Sequence, residues 1–305
     1  MLLTRKLKRY ARRFDNVLKS EYFGLYDDKI REILEYTLKG GKRMRPAIIY
    51  DILHSLGKNG VEIDGKYLAL MTEFIHTSSL IIDDLPCMDN DDMRRGRESV
   101  HKRYGLLASK LVSTLLMSDA HTMLFKMYDN IDCDDIDDRL LKVLDVVTSN
   151  IGIKGAAYGQ YLDMLPKYSN EFVEDVINTE IKEYTSENII GKIIEKKTGV
   201  IFEIAFVSAY ILGGGDLEDL ERVKKVSYDF GMIFQIYDDY KDEEEDRKRM
   251  INGLTPNYVI RFGRERALLK MRSCILSFRE NMIELGLYSK FFNDMMLFLY
   301  KNFKD

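Results

Sequence analysis

Apolar residues recur at three- and four-residue steps through most of the chain, which is the spacing of one face of an α-helix. Between residues 29 and 39, Ile30, Ile33, Leu34 and Leu38 are separated by mostly charged residues. The same spacing predicts helices over residues 66–82, 106–128, 139–165, 172–194, 200–212, 220–241 and 264–303. Polar or glycine-rich joints fall at residues 57–65, 89–97, 129–138, 167–170 and 213–216. The pattern therefore predicts an all-α protein.

Composition and the length of the joints indicate one folded unit. Hydrophobic residues make up 46% of the 305 positions and charged residues 31%, as is typical of a globular domain. Only four prolines are present, so long stretches contain no helix breaker. Each joint is too short to separate two domains. We expect a single domain over residues 1–305, a bundle of more than four helices.

Charge, cysteines and hydropathy exclude several classes of protein. A net charge of -4 leaves no global basic field for nucleic acid. The three cysteines have no paired spacing, which argues against a disulfide framework and predicts a reducing compartment. No window approaches about 18 uninterrupted apolar residues, so no transmembrane segment is predicted. The basic start of the chain faintly resembles a transit peptide, but a first helix of the fold is favoured.

Two clusters of aspartates, each at the end of an apolar helical pattern, carry the strongest chemical signal. The first reads DDLPCMDNDD over residues 83–92 and precedes Arg94 and Arg95, and the second reads FQIYDDYKD over residues 234–242. Carboxylates crowded on one side of a helix repel one another unless a cation neutralises them. Oxygen ligands select Mg²⁺ or Ca²⁺, and Mg²⁺ usually bridges carboxylates to phosphate. The clusters therefore predict Mg²⁺ and a phosphorylated substrate.

Basic residues beside glycines form a complementary set. GGKRMRP over residues 40–46 places Lys42, Arg43 and Arg45 after two glycines, and KKTG over residues 196–199 adds a lysine and a hydroxyl. Cations in such settings suit a bound phosphate. Short basic runs usually lie on the solvated surface of a protein. They indicate a phosphate site here only because the two aspartate clusters accompany them.

Taken in order, these motifs resemble those of the trans-polyprenyl diphosphate synthases. They are GGKRMRP, HTSSLIIDDLPCMDNDDMRRG, HKRYG, KKTG and FQIYDDYKD, and together they span residues 40–242. The spacing between Asp84 and Asp89 matches the longer first motif of bacterial farnesyl and of bacterial and plant geranylgeranyl diphosphate synthases. The resemblance implies the isoprenoid synthase fold, with helices around a central cavity, and a homodimer. It also implies Mg²⁺-dependent condensation of isopentenyl diphosphate with an allylic diphosphate.

The resemblance assigns roles position by position. Mg²⁺ would be held by Asp83, Asp84, Asp89, Asp238, Asp239 and Asp242. The allylic diphosphate would be held by Arg94, Lys197, Thr198 and Gln235. Isopentenyl diphosphate would be held by Lys42, Arg45, His76 and Arg95. The expected catalytic residues among these are Asp83, Asp84, Arg94, Lys197 and Asp238.

Ser78 and Ser79 are the expected determinants of product length. Ser79 lies four residues before Asp83, one turn deeper on the same face, and Ser78 is its neighbour. Short-chain members of the family often carry an aromatic residue at the position of Ser78. Serine at both positions favours the twenty-carbon geranylgeranyl product over fifteen-carbon farnesyl diphosphate. The alternative is a cavity floor supplied by another helix, for example by Met117 or Phe125.

Three places depart from the family pattern. Ile82 stands where a histidine commonly precedes the first aspartate pair. Between Gly105 and Ser118 the chain carries several residues more than usual, which predicts an extended or shifted helix. After Asp242 the usual glycine-lysine element is replaced by EEEDRKR, in which Lys248 or Arg249 could substitute only by a different path.

Other interpretations stay open. A terpene synthase derived from this fold would ionise one prenyl diphosphate and has no use for an isopentenyl site. A non-catalytic partner subunit would not need both aspartate clusters. The pairs Glu73 with His76 and Glu98 with His101 have the spacing of di-iron ligands, but only 25 residues separate them. The chain before GGKRMRP is about as long as in bacterial members, which favours a cytoplasmic location.

Overall fold

Helices account for almost all of the structure, a computed structural model that describes residues 5–57, 64–131, 133–168, 187–250 and 255–304. This confirms the fold class that the apolar periodicity predicts. Contacts divide the chain into two units, Met1–Lys142 and Val143–Asp305. The single domain expected over residues 1–305 stays a prediction. Among the described residues, no helix combines the length and the apolar character needed to cross a membrane.

The first unit is built around two helices that are buried almost all round. Its described elements are α1 (Arg5–Val17), a π-helical turn (Leu18–Tyr22), a 3₁₀ turn (Phe23–Leu25), α2 (Asp28–Leu38), α3 (Met44–Leu56), α4 (Lys66–Asp83), β1 (Met93–Arg94), β2 (Arg97–Glu98) and α5 (Val100–Asn130). Every residue from Met44 to Leu53 of α3 is buried. Helix α4 packs along α5 and against α3, and α1 covers α3. Candidate site residues lie on α3 and α4 and on the loops at their ends.

A tight hairpin follows the first aspartate cluster. Strands β1 and β2 are antiparallel, with Met93 opposite Glu98 and Arg94 opposite Arg97. The two turn residues, Arg95 and Gly96, both have positive φ angles, of 55° and 74°. Two consecutive left-handed residues are the mark of a type I′ turn, which matches the twist of a hairpin. This turn fixes where the Arg95 side chain leaves the backbone. The sequence pattern does not predict it, because strands of two residues are too short to show alternation.

The second unit packs around an apolar helix and its neighbours. Its described elements are the greater part of α6 (Ile136–Ile151), α7 (Ala156–Tyr168), α8 (Glu187–Ile193), a π-helix (Ile194–Gly199), α9 (Val200–Leu212), a 3₁₀ turn (Leu217–Asp219), α10 (Leu220–Lys241), α11 (Glu243–Arg249), α12 (Tyr258–Phe262), α13 (Arg264–Glu284) and α14 (Lys290–Lys304). Helix α10 packs against both α9 and α13. Rings of Phe202, Phe206, Phe230 and Phe278 meet edge to face or at a tilt in this core. The core holds α10, and with it the second aspartate cluster, in place.

Two of the long predicted helices are each divided in the structure. The helix predicted over residues 139–165 is interrupted between α6 and α7, in a turn that contains Gly152 and Gly155. The helix predicted over residues 264–303 is interrupted after Glu284, near Gly286, whose φ is 68°. A glycine inside an apolar pattern does not reveal from sequence whether it bends the chain. Most of the helix predicted over residues 172–194 lies outside the described residues.

Candidate active site

The first aspartate cluster lies where α4 ends and the chain turns back on itself. The Asp89 N–H donates to the carbonyl oxygen of Asp83 at 2.9 Å, which brings the backbone of Asp89 beside that of Asp83. Asp83 and Asp89 are half-buried, and Asp84 is buried. Arg94 donates from Nε to Asp84 Oδ1 at 2.8 Å and from Nη2 to Asp91 Oδ2 at 3.3 Å. Burial raises the pKa of Asp84, and the bonded guanidinium of Arg94 opposes that rise.

The carboxylates of this cluster fit an open rather than a closed metal site. In the part of the chain that the structure describes, no three His, Cys, Asp or Glu side chains are gathered closely enough to hold a metal ion. Asp83 and Asp89 are accessible oxygen donors with no nitrogen or sulfur ligand among them. Such donors suit Mg²⁺, which binds through one or two carboxylates and keeps water and substrate phosphate as its other ligands.

Several cations converge on His76, a half-buried residue of α4. Burial holds the pKa of His76 well below its usual value, and the charges of Arg45, Arg95, Arg94 and Arg43 lower it further, in that order. The imidazole is therefore neutral near pH 7 and offers one donor and one acceptor. Arg45 is buried in the first turn of α3, and Arg95 lies in the hairpin turn. We call His76 and these four arginines the cationic cluster.

A small cleft is lined by Arg94 and Arg95 of this cluster and by Asp84 of the first aspartate cluster. Asp84, Arg94, Arg95 and Arg97 line it together with the hydroxyl residue Thr77. A polyanion bound there would meet guanidinium groups, and a carboxylate is available at the same wall to share a cation with it. Of the four residues expected at the isopentenyl site, Arg45 and Arg95 lie near His76, and Arg95 also lines the cleft. Lys42, the fourth, is exposed in the loop before α3.

The second aspartate cluster closes α10, and its three carboxylates are not equivalent. Asp238 is half-buried, Asp242 is exposed and Asp239 is buried. Gln235 Nε2 donates to Asp239 Oδ1 at 2.7 Å, and the Tyr258 N–H donates to Asp239 Oδ2 at 2.7 Å. Burial raises the pKa of Asp239 to about 7. Asp239 therefore ties the cluster to the start of α12, while Asp238 and Asp242 are the more accessible members.

The KKTG motif lies in the π-helix that precedes α9. Thr198 Oγ1 donates to Gln235 Oε1 at 2.7 Å, so a chain of hydrogen bonds runs from Thr198 through Gln235 to Asp239. Lys197 forms an ion pair with Asp163 of α7. Single π-helical turns occur frequently at functional sites. The structure thus joins Thr198 and Gln235, two of the residues expected to hold the allylic diphosphate, to the second aspartate cluster.

Two glycines let the KKTG segment pack closely between helices. A Cβ atom at Gly159 of α7 would lie 2.4 Å from the backbone nitrogen of Lys197. A Cβ atom at Gly231 of α10 would lie 3.0 Å from Cα of Gly199. The position of Lys197 and Thr198 is therefore set by backbone-to-backbone contact on two sides.

Ser78 and Ser79 have different surroundings. Ser78 is buried against α5, where its Oγ lies 3.1 Å from the carbonyl oxygen and 2.8 Å from Oγ of Ser113. Ser79 is half-buried, and its Oγ donates to the carbonyl oxygen of His76 at 2.9 Å. Of the alternative floor residues, Met117 is half-buried, whereas the Phe125 side chain is 73% exposed. Phe125 therefore does not form the floor of a buried cavity.

The structure does not assemble a di-iron site from the two Glu and His pairs. Glu73 is engaged with arginines, as described below, and Glu98 is exposed. His101 Nδ1 lies 3.0 Å from Ser99 Oγ. Lys248 and Arg249, the candidate replacements for the missing glycine-lysine element, are exposed on α11, and Arg249 forms an ion pair with Glu245 at 2.6 Å.

Several residues of the site were not predicted from the sequence. Asn257 donates from Nδ2 to the carbonyl oxygen of Asp239 at 2.8 Å and to Asp246 Oδ2 at 2.7 Å. The signal for Asn257 is its position before α12, where its side chain caps the helix by accepting from the Ile260 N–H at 2.9 Å. Glu73 and Arg43 form a buried ion pair that local spacing does not reveal.

Comparison with known proteins gives the family. The sequence model of the family described as polyprenyl synthetase matches residues 27–253. Farnesyl diphosphate synthase of Bacillus subtilis is 32% identical over 225 residues, 73% of this chain and 69% of the relative. Geranylgeranyl pyrophosphate synthase 11 of Arabidopsis thaliana, a chloroplastic protein, is 32% identical over 222 residues, 72% of this chain and 58% of the relative.

Solved structures agree in fold. A geranyltransferase from Legionella pneumophila superimposes with a TM-score of 0.78 at 22% identity, covering 97% of this chain and 95% of that one. An FPP/GFPP synthase from Zymomonas mobilis superimposes with a TM-score of 0.77 at 23% identity, covering 96% and 97% of the two chains. Together with the aspartate and basic motifs in their order, these matches show that the chain belongs to the polyprenyl synthetase family of trans-prenyltransferases.

Proposed function

We propose that this prenyltransferase condenses isopentenyl diphosphate with an allylic diphosphate in head-to-tail elongation, and that its main product is geranylgeranyl diphosphate. Curated relatives include both farnesyl and geranylgeranyl diphosphate synthases. The cationic cluster carries the proposal of condensation. Within it, buried Arg45 and half-buried Arg95 near a neutral His76 form a site for a highly charged anion, in addition to the pair of Arg94 with Asp84.

In the proposed reaction, Arg94, Lys197, Thr198 and Gln235 hold the allylic diphosphate. Their cations and hydroxyl stabilise the negative charge that develops as the diphosphate leaves. Lys42, Arg45, His76 and Arg95 orient isopentenyl diphosphate so that its double bond attacks the allylic carbon as the diphosphate leaves. No side-chain base is assigned, so the proton is transferred to the released diphosphate.

Mg²⁺ is the metal that these carboxylates suit. The residues proposed to hold it are Asp83, Asp84, Asp89, Asp238, Asp239 and Asp242. When bound, Mg²⁺ supplies Lewis-acid stabilisation of the diphosphate oxygens. The half-buried positions of Asp83 and Asp238 support their place in this set, because they are accessible and close to the ends of well-packed helices.

Substrate combinations test the proposal against a terpene synthase. Purified enzyme is incubated with geranylgeranyl diphosphate alone and, separately, with dimethylallyl and isopentenyl diphosphates. We expect elongated diphosphates from the pair and no hydrocarbon or alcohol from the single substrate. The reverse result would establish a terpene synthase. Activity that appears only in an assembled complex, and persists there in Asp83→Ala, would establish a non-catalytic partner subunit.

The proposed product length depends on Ser79 more than on Ser78. Ser79 is half-buried on α4, one turn before Asp83, and we expect the ring of Ser79→Phe to shorten the product from twenty to fifteen carbons. Ser78→Phe must place a ring against Ser113 and is expected to lower the free energy of unfolding by about 1–3 kcal/mol. Chromatography of dephosphorylated products and thermal melting measure the two effects. Unchanged products from a folded Ser79→Phe enzyme would place the floor on another helix.

We further propose a homodimer that uses the outer face of α5. Leu107, Leu111 and Phe125 recur on this helix, and Leu107 and Phe125 are 74% and 73% exposed. Apolar side chains repeated along one exposed face mark an interaction surface.

The cytoplasmic location expected from the sequence stays a prediction.

Charge introduced on this face is expected to separate the dimer. In sedimentation velocity, Leu107→Glu should move the protein from dimer to monomer, because burying an unpaired carboxylate is strongly unfavourable. Leu276→Glu is the matched control, since Leu276 is a 67% exposed leucine on α13. A dimer that survives Leu107→Glu, or a wild-type monomer, would reject this interface.

A further inference from the structure

A buried carboxylate without a role in the proposed reaction lies beside the cationic cluster. Glu73 of α4 is 2% exposed, and Arg43, which precedes α3, is 3% exposed. Arg43 Nη1 donates to Glu73 Oε1 at 2.8 Å, and Arg95 Nη2 lies 4.0 Å from the same oxygen. A buried ion pair contributes little net stability once desolvation is included. The main effect of this pair is therefore on the positions of the side chains around it.

Arg43 is fully occupied by protein partners. Its φ of 54° is left-handed, which turns its side chain away from the path of a continuing helix. Arg43 Nε donates to Asp15 Oδ1 at 3.0 Å, Nη2 donates to the carbonyl oxygen of Leu38, and the guanidinium lies 4.9 Å from the centre of the Phe14 ring. With Nη1 on Glu73, the guanidinium is anchored to α1, α2 and α4. Arg43 is therefore a clamp on Glu73 and not a group that faces substrate.

Arg95 is crowded by other cations and needs a counter-charge. Burial lowers the pKa of Arg95, and Arg43, Arg94 and Arg97 lower it further, whereas Glu73 raises it. The guanidinium also starts from a left-handed residue in the hairpin turn, with φ 55°. Repulsion from three arginines would swing a long side chain away from the cluster if the carboxylate were removed.

The backbone of Gly41 packs on all three groups. A Cβ atom there would lie 3.0 Å from Arg43 Nη1, 3.1 Å from Glu73 Oε1 and 3.3 Å from Arg95 Cζ. The ion pair, Arg95 and the loop that carries Lys42 are therefore in mutual contact, and a shift of one moves the others.

We propose that Glu73 is a positioning residue that, held by Arg43, fixes the Arg95 guanidinium and thereby sets the affinity of the enzyme for isopentenyl diphosphate. This inference rests on the proposed function, because the assignment of Arg95 to isopentenyl diphosphate belongs to it.

The test is Glu73→Gln, which keeps the volume of the side chain and removes its charge. We expect KM for isopentenyl diphosphate to rise about tenfold or more, the scale of losing a charge-assisted contact. KM for the allylic diphosphate and kcat should stay within about twofold, because the cations beside Glu73, Arg43 and Arg95, are not assigned to the allylic diphosphate. Glu73→Asp, which restores the charge, should recover part of the affinity.

Asp51→Asn is the matched control. Asp51 is a fully buried carboxylate of the same unit that accepts from Tyr10 Oη at 2.9 Å and pairs with Lys6. The Asp51→Asn substitution should lower the melting temperature and leave the KM values for both diphosphates unchanged. If Glu73→Gln behaves in the same way, Glu73 is only structural and the inference is wrong.

Failure of the proposed function gives a different result. If wild-type enzyme does not condense the two diphosphates, the proposed function and this inference fall together. If the wild type condenses them and only the affinity effect is missing, this inference alone fails. Should Glu73→Gln not fold, Arg43→Lys gives the same readout, since it keeps the charge but cannot hold Asp15, Leu38 and Glu73 at once. An unchanged KM for isopentenyl diphosphate in folded Arg43→Lys would then reject the inference.

Discussion

Asparagine in place of Asp83 is expected to lower kcat for condensation by about 10³-fold, the upper range for removing one group that stabilises a developing charge. Asn has the size of Asp but lacks the negative charge that binds a divalent cation. Asp83 is half-buried at the end of α4 and the substitution keeps its size, so the fold should be retained. Steady-state kinetics with a Mg²⁺ titration, together with thermal melting, measure the effect. The loss should be partly reversed at high Mg²⁺.

Asp238→Asn is expected to give a loss of the same size from the second unit. If both carboxylates serve one reaction, the double variant should be little worse than either single variant, because residues that act as a unit are not additive. Asp92→Asn is the control, since Asp92 is an exposed residue of the first aspartate cluster that pairs with Lys102 on the surface. It should retain activity. Retention of kcat in Asp83→Asn would remove Asp83 from the proposed metal set.

The helices that could be read closely from sequence are those with an uninterrupted apolar pattern. The predicted ranges 200–212 and 220–241 coincide with α9 and α10. The ranges 139–165 and 264–303 did not, because Gly155 and Gly286 sit inside apolar stretches, and periodicity continues across a turn. At Gly286 the break depends on a positive φ, a backbone property that a one-letter sequence does not express.

The basic motif shows what spacing cannot decide. GGKRMRP offers Lys42, Arg43 and Arg45 as equivalent cations, and the resemblance separates them only by matching position. In the structure Arg43 turns inward to Glu73, and Arg45 lies near His76. Glu73 is thirty positions away from Arg43, so the pairing depends on how α3 packs against α4. Tertiary contact, and not local pattern, distinguishes Arg43, which pairs with Glu73, from the two cations proposed to bind substrate.

The second aspartate cluster gives the same lesson for carboxylates. Helical spacing groups Asp238, Asp239 and Asp242 as like charges on one side. In the structure only Asp239 of the three is buried, and it accepts hydrogen bonds from Gln235 and from the backbone of Tyr258. Tyr258 is 19 residues further along the chain, so its contribution depends on the return of the chain to α10. The sequence was enough to identify the motif, but not to show which of its carboxylates is buried and which are accessible.

Alanine at Gly159 is expected to impair both stability and the allylic site. The added Cβ would lie 2.4 Å from backbone atoms of Lys196 and Lys197, and backbone cannot rotate away as a flexible side chain can. Either α7 or the π-helix has to move, which should lower the free energy of unfolding by about 1–3 kcal/mol. A displacement of Lys197 and Thr198 approaching 1 Å should lower kcat/KM for the allylic diphosphate by about 10²-fold.

Two readouts separate this displacement from general damage. KM for isopentenyl diphosphate should change little in Gly159→Ala, because Lys42, Arg45, His76 and Arg95 all belong to the first unit. Gly191→Ala is the matched control, since a Cβ atom at this α8 glycine meets no heavy atom within 4 Å. Alanine in that helix interior should raise stability by about 0.5–1 kcal/mol and leave kinetics unchanged. If Gly159→Ala melts like the wild type and keeps its allylic kcat/KM, the contact between α7 and the KKTG segment does not position Lys197, and the assignment of the allylic diphosphate to this π-helix loses its structural support.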